Sequence, residues 1–113
     1  MDSVAKIYEQ TRIRTSSNPR IIYLLHNKCV QLVQLARSAD NNQKKELLVR
    51  AQNILAELEH ALVIDDELSQ GLFYIYDYCY SQLETEDSSG IELTIPLMSL
   101  LRDTFSQLLQ EPH

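Results

Sequence analysis

The stretch that decides the fold is Leu72-Phe73-Tyr74-Ile75-Tyr76-Asp77-Tyr78-Cys79-Tyr80-Ser81-Gln82-Leu83, which holds four of the chain's 6 tyrosines. Tyrosines that alternate with strand-favouring residues are typical of a β-strand, but the apolar positions also repeat at the i, i+3/i+4, i+7 spacing of a helix. The helical pattern runs from Leu68 to Leu83, which is longer than an ordinary strand, and no turn residues pair it with a second strand. The sequence therefore predicts a helix here.

The tyrosines of this helix fall at different distances from its apolar arc. Four residues form the middle of the predicted arc: Leu68, Leu72, Cys79 and Leu83. Tyr76 and Tyr80 lie at one edge of the arc, and Tyr74 and Tyr78 lie off it. The edge rings either belong to the core with their hydroxyls reaching water, or are aromatic surface that a partner covers. On the second interpretation, the four tyrosines are candidate partner-binding residues.

The composition predicts one small domain made of a few long helices. The chain has 113 residues, with 2 glycines and 3 prolines, which leaves little room for turns. No apolar run approaches the roughly 20 residues of a membrane span, and the first residues lack the pattern of a signal peptide. Cys29 and Cys79 occur without metal-ligand spacing, so they are expected to be small buried hydrophobes in a reducing compartment. We therefore expect a cytoplasmic protein.

The charge is divided between the two halves of the chain. Residues 1–50 contain nine Lys/Arg and four Asp/Glu, whereas residues 51–113 contain one Lys/Arg and twelve Asp/Glu, so the net charge is −6. Either the two halves face each other in the bundle and partly neutralise one another, or the acidic half steers a basic partner. The balance predicts no binding to nucleic acid.

The predicted long helices span residues 19–39, 43–63, 66–86 and 95–110. Asn18 and Pro19 are typical of an N-cap and a first helical residue. Because proline cannot lie deep in an ordinary helix, Pro96 favours a start at residue 95 with Thr94 as the cap, and a kinked helix from Ile91 is the alternative. Residues 1–14 are expected to be a mobile N-terminal segment, in which residues 3–14 form an amphipathic stretch that is too short to be stable unless it docks on something.

The helix at 19–39 is apolar over about half of its circumference, where a surface helix needs little more than a third. Leu24 and Leu35 extend the arc on one side, and Ile21 lies within it. Lys28 also lies inside the arc, where it can bury its stem and keep its ammonium in water. Two neighbouring helices could cover such an arc, or a partner could occupy part of it. We take Ile21, Leu24, Lys28 and Leu35 as candidate partner-binding residues.

The residues that could carry chemistry do not form a catalytic pattern. Glu57 and His60 make one Glu-x-x-His pair, but a carboxylate-bridged metal site needs two. His26 could accept a phosphoryl group on a small acidic bundle, although the residues after it do not fit a phosphotransfer domain. Cys79 lies mid-arc, where burial raises the pKa of a thiol and makes it inert. We expect no enzyme, no metal and no cofactor.

A series of short motifs occurs in the same order as in a known family. They are Tyr8-Glu9-Gln10, Thr15-Ser16-Ser17-Asn18-Pro19, Arg50-Ala51-Gln52-Asn53-Ile54-Leu55-Ala56-Glu57-Leu58, Ile75-Tyr76-Asp77-Tyr78-Cys79-Tyr80-Ser81-Gln82-Leu83 and Leu101-Arg102-Asp103-Thr104-Phe105. In this order the chain resembles the flagellin-specific export chaperones of bacteria, the FliS family. It departs from the family pattern at Leu25-His26-Asn27-Lys28, where members usually have Leu-Tyr/Phe-Asp-Gly. The chain looks like a divergent member.

The resemblance implies an all-α, antiparallel bundle of four long helices with an additional short N-terminal helix. It also implies cytoplasmic binding of the disordered C-terminal segment of flagellin, which prevents premature polymerisation, and delivery to the flagellar type III export gate. In the family the N-terminal segment can lie over part of the client surface and helps to contact the gate. By position, this makes Val4, Ile7 and Tyr8 candidate partner-binding residues.

The resemblance leaves alternatives open. The same fold would suit a helical adaptor or a chaperone for another type III export substrate, and a phosphotransfer domain is a further alternative. A homodimer of the isolated chain is also left open. Membrane insertion is not expected.

Overall fold

Four helices and one pair of short strands make up the described part of the chain. The computed structural model of the protein describes residues 14–16 and 18–110. In chain order its elements are β1 (Arg14–Thr15), α1 (Pro19–Arg37), α2 (Asn41–Ala61), β2 (Leu62–Val63), α3 (Glu67–Glu84) and α4 (Ser88–Gln110). The predicted all-α helical bundle is confirmed. The predicted short helix within residues 1–14 lies outside the described residues, except for Arg14.

The helices form a ring in which α1 and α3 lie on opposite corners. Both α1 and α3 pack against α2 and α4. Arg37 at the end of α1 forms an ion pair with Glu92 near the start of α4, so these two helices run antiparallel. Short connections such as residues 38–40 reverse the chain between successive helices, as in an up-down bundle.

Side chains cap the starts of the first three helices, and the cap predicted at Asn18 is confirmed. The Ile21 N–H donates to the Asn18 side chain at 3.0 Å, with Pro19 at the first helical position. The Gln43 N–H donates in the same way to the Asp40 carboxylate at 2.9 Å, so α2 begins at Asn41, two residues before the predicted start. At α3, Asp66 and Ser69 form a reciprocal capping box. Each cap satisfies a backbone N–H that the helix itself leaves unpaired.

The predicted start of the last helix is wrong. Helix α4 begins at Ser88 rather than at residue 95, and Pro96 lies inside it. The Asp87 carboxylate accepts the backbone N–H of Gly90 at 3.0 Å, so the start is capped well before the proline. Pro96 removes one hydrogen bond from the helix, but the ring is exposed to solvent rather than inserted into the core. Thr94, predicted as a cap, is instead 1% exposed in the middle of the helix.

The predicted end of the second helix is also wrong, because α2 stops at Ala61 and the next two residues form a strand. Leu62 pairs with Thr15 and Val63 with Arg14 in an antiparallel ladder. The Ser16 N–H also donates to the Ala61 carbonyl at 2.7 Å. These bonds tie the chain before α1 to the far end of α2, and the pairing suits the β-branched Val63.

The core lies between all four helices. Its fully buried members include Ile22, Val33, Leu48, Leu55, Leu58, Leu83, Ile91, Met98 and Phe105. Burial of each such side chain contributes roughly 1.5–3 kcal/mol before conformational entropy is counted. In the first turn of α4, a Cβ on Gly90 would overlap the Gln82 carbonyl oxygen of α3, so only glycine permits this close approach.

Candidate partner-binding surface

Helix α1 exposes an apolar stripe on the side that faces away from the core. The exposed fractions are 46% for Ile21, 47% for Leu24 and 60% for Leu35. Lys28 is exposed on the same stripe, since these positions follow one another at i, i+3, i+7 and i+14. The structure therefore brings together all four candidate residues that were predicted on this helix.

Two shallow hollows adjoin the C-terminal half of this stripe. One has a volume of about 380 Å³ and is lined along α1 by residues that include Lys28, Leu32 and Leu35. The other, also about 380 Å³, lies between α1 and α2 and is lined by residues that include Leu35, Glu46 and Leu47. Leu35 borders both hollows, so the stripe lies on the α2 side of α1. We call the surface formed by the stripe and the facing side of α2 the α1–α2 groove.

The four candidate tyrosines of α3 do not share one surface. Tyr74 and Tyr78 are 67% and 45% exposed, one helical turn apart. Tyr74 also borders a hollow of about 210 Å³ with Ile64 and Phe73. Tyr80 is half-buried against the core. Because α3 is diagonal to α1, Tyr74 and Tyr78 lie on a different face from the α1–α2 groove.

The prediction that Tyr76 binds a partner is wrong, because its ring is only 2% exposed and its hydroxyl is used inside the bundle. His26 of α1 is fully buried, and its Nε2 lies 3.0 Å from the Tyr76 hydroxyl. The Nδ1 of His26 lies 2.8 Å from the Ile22 carbonyl oxygen. A carbonyl can only accept, so Nδ1 carries the proton and the Tyr76 hydroxyl donates to Nε2. The imidazole also stacks on Phe105 of α4 at a centroid distance of 5.0 Å.

This environment contradicts the phosphotransfer alternative. Burial lowers the pKa of His26 to about 4, against an opposing contribution from its bond to the Ile22 carbonyl. Both ring nitrogens are engaged, and the side chain is 0% exposed. A phosphoryl donor could not reach either nitrogen in this structure. His26 instead links diagonal helices across the core.

The two cysteines match their prediction as small buried hydrophobes. Cys29 and Cys79 are free thiols with 0% exposure. Burial raises the pKa of Cys29 to about 12 and that of Cys79 to about 11, so both are neutral and unreactive as nucleophiles. Within residues 14–16 and 18–110, no group of His, Cys, Asp and Glu could hold a metal ion.

An ion pair between α1 and α4 connects the basic first half of the chain to its acidic second half. Arg37 and Glu92 form two hydrogen bonds, at 2.8 and 3.2 Å, across side chains that are about half exposed. Between α2 and α3, burial raises the pKa of Glu59, and the nearby carboxylate of Asp77 raises it further. An exposed ion pair contributes little to stability, so the Arg37–Glu92 pair neutralises charge rather than holding the bundle together.

Sequence reasoning missed an exposed apolar row on α4. Leu93 and Leu100 are 45% and 64% exposed, with the exposed Pro96 between them. Their spacing places them on one face of a helix, but that signal was hidden because the predicted helix began after Leu93. Leu68, predicted in the middle of the α3 arc, is also on the surface, with 38% exposure.

The described helices include no segment long and apolar enough to cross a membrane.

Of the predicted partner-binding residues, Val4, Ile7 and Tyr8 lie outside the described residues. The fold and the exposed α1 stripe together define a class of protein, a small helical bundle with an exposed apolar stripe on one helix.

Comparison with known proteins narrows this class to a family. The profile of the family described as "Flagellar protein FliS" matches residues 1–112, so the chain belongs to the FliS family. The chain is also 35% identical, over 80 residues, to a protein of Bacillus subtilis strain 168 named "Flagellar secretion chaperone FliS". That match covers 67% of this chain and 60% of the length of the relative.

Proposed function

We propose that this protein is a cytoplasmic export chaperone that binds the disordered C-terminal segment of flagellin. By covering this segment it prevents premature polymerisation, and it then delivers flagellin to the flagellar type III export apparatus. The proposal includes no catalytic step. Membership of the FliS family and the name of the Bacillus subtilis relative support the role of a flagellar secretion chaperone.

The observation that carries the proposal is the exposed stripe on α1. Ile21, Leu24 and Leu35 each leave 46–60% of their surface in water although the opposite side of the same helix is fully packed. An amphipathic client helix can bury such a stripe by laying its own apolar face into the α1–α2 groove. A disordered client loses conformational entropy when it orders on the bundle, so it needs a long apolar surface to offset that loss.

Delivery to the export gate is assigned to the N-terminal segment. Val4, Ile7 and Tyr8 precede β1, which is held to the end of α2 by its pairing with β2.

The binding step is tested by calorimetric titration of the full chain with the C-terminal segment of flagellin from the same organism. We expect saturable binding with one segment per chain, weakened in a Leu24→Asp variant because Leu24 lies on the exposed stripe of α1. Absence of binding to every flagellin of that organism would reject flagellin as the client. A pull-down dominated by another export substrate would then favour the alternative client.

A further inference from the structure

Lys28 interrupts the apolar stripe of α1. It lies on the exposed face one turn after Leu24 and two turns before Leu35, and it lines the hollow that Leu35 borders. Among the described residues the ion pairs are Arg37–Glu92 and Arg102–Asp103, so Lys28 has no carboxylate partner there. Its ammonium is therefore free to pair with a group from another chain.

A second cation, Arg50, lies on α2 at the same level of the groove. The Cys29 thiol contacts the Ala51 carbonyl oxygen at 3.9 Å, and Lys28 and Arg50 directly precede these two residues. Gln43 lines the hollow beside Leu35, and Arg50 lies two helical turns further along the same face of α2. The middle of the α1–α2 groove is therefore cationic.

The ends of the groove carry the opposite charge on α2. Glu46 lines the hollow at the Leu35 end, and Glu57 lies two turns beyond Arg50 on the same helix face. Along α2 the charges thus run negative, positive, negative, while along α1 the order is apolar, positive, apolar. This pattern distinguishes the groove from a uniformly apolar one.

From this arrangement, we propose that the α1–α2 groove selects a client helix that carries an acidic side chain between two apolar ones. The acidic group would lie about 6 Å along the axis from the apolar side chain at Leu24 and about 10 Å from the one at Leu35. An apolar or basic residue at that position would cover Lys28 without pairing it, and an unpaired covered charge is unfavourable. Selection therefore comes from rejecting the wrong client as well as from attracting the right one.

The proposal rests on the proposed function, because it describes the client of the same surface, but it can be tested separately. The probes are two helical peptides with leucines at the spacing of Leu24 and Leu35, differing only in Glu or Lys opposite Lys28. The full-length protein is titrated with each peptide, as wild type, as Lys28→Glu and as Lys45→Glu. Lys45 is also an exposed lysine, and on α2 it shares the face of Gln52, whose side chain donates a hydrogen bond to the Tyr80 carbonyl of α3.

We expect wild type and Lys45→Glu to bind the Glu peptide about fivefold more tightly than the Lys peptide, and Lys28→Glu to reverse this preference. Added salt should reduce the preference, because the charges remain near solvent. Equal binding of both peptides by wild type, or no binding of either, would overturn the proposal.

Titration with the flagellin C-terminal segment tests the export-chaperone function separately from the selection of an acidic client by Lys28. If wild type binds flagellin but does not distinguish the peptides, the export-chaperone function stands and selection by Lys28 is wrong. If wild type distinguishes the peptides but binds no flagellin, the groove has the proposed selectivity and flagellin is not its client.

Discussion

The two faces of α1 reverse the usual placement of residues. The inner face holds a histidine, His26, at 0% exposure, whereas the outer face leaves Leu24 and Leu35 at 47% and 60%. Leucines are usually buried, and polar side chains usually remain at the surface. On this helix the polar ring is inside because both of its nitrogens are hydrogen-bonded. The leucines are outside because none of the helices in residues 18–110 covers that side.

The buried histidine and the exposed leucines differ in whether folding alone accounts for their positions. A buried polar group that is fully bonded is stable as it stands, and the His26–Tyr76 bond accounts for its own presence. An exposed leucine costs about 25 cal/mol for each Å² of apolar surface left in water, and a partner can recover that energy. Folding therefore explains the inner face, whereas the outer face is where we propose that the client binds.

The largest expected effect is the difference in the free energy of unfolding between leucine-to-alanine substitutions on the two faces of α1. Leu32 is 2% exposed and Leu24 is 47% exposed on the same helix, so the same substitution can be compared at both. We expect Leu32→Ala to lower the free energy of unfolding by about 3 kcal/mol, because it leaves a cavity. Leu24→Ala should lower it by about 1 kcal/mol or less. Urea denaturation measures both, and equal losses would show that the outer face is part of the core.

A smaller effect should appear in the pH dependence of stability. The pKa of His26 is about 4 in the folded chain and 6.5 as its ordinary value, so the unfolded chain binds the proton first as the pH falls. The contribution of neutral His26 is complete above pH 6.5 and is lost between there and pH 4. From pH 7.5 to pH 5, this should lower the free energy of unfolding by about 2 kcal/mol.

A His26→Gln variant provides the control, because every other titrating group remains. Its free energy of unfolding should fall less steeply over the same pH interval, whatever its absolute stability. Parallel pH profiles for the variant and wild type would mean that His26 is not the buried neutral ring described here.

The smallest effect concerns the partner of that ring. Tyr76→Phe removes the hydroxyl that donates to His26 Nε2 and leaves a buried acceptor unpaired. We expect a loss of about 1 to 2 kcal/mol in the free energy of unfolding. Tyr78→Phe, at a tyrosine that is 45% exposed, should change it by less than about 0.5 kcal/mol. Equal losses at both positions would remove the distinction between the inner and outer tyrosines.

Much of the fold could be predicted from the sequence because its signals are local. The helical spacing on α1 and the cap at Asn18 act over one or two turns. For the wide apolar arc of α1, the sequence left open whether two neighbouring helices cover it, and the structure leaves Leu24 and Leu35 at its edge exposed.

The remaining features depend on contacts between distant residues. The helical spacing of Tyr76 predicts only that it lies at the edge of the apolar arc. It cannot reveal that His26, 50 residues earlier, accepts a hydrogen bond from the Tyr76 hydroxyl. The pairing of Thr15 with Leu62 likewise joins segments that no local pattern connects. Pro96 was given too much weight as a helix breaker, because its tolerance depends on lying at the solvent side.

The central claim is that the outer face of α1 is where the client binds. It is tested most directly by measuring the affinity of the flagellin C-terminal segment for a Leu24→Asp/Leu35→Asp double variant. A Leu100→Asp variant is the matched control, because Leu100 is as exposed, at 64%, but lies on α4. We predict a loss of more than about tenfold for the double variant and of less than about twofold for the control, with both proteins folded. Unchanged affinity in the double variant, or equal loss in the control, would contradict the account.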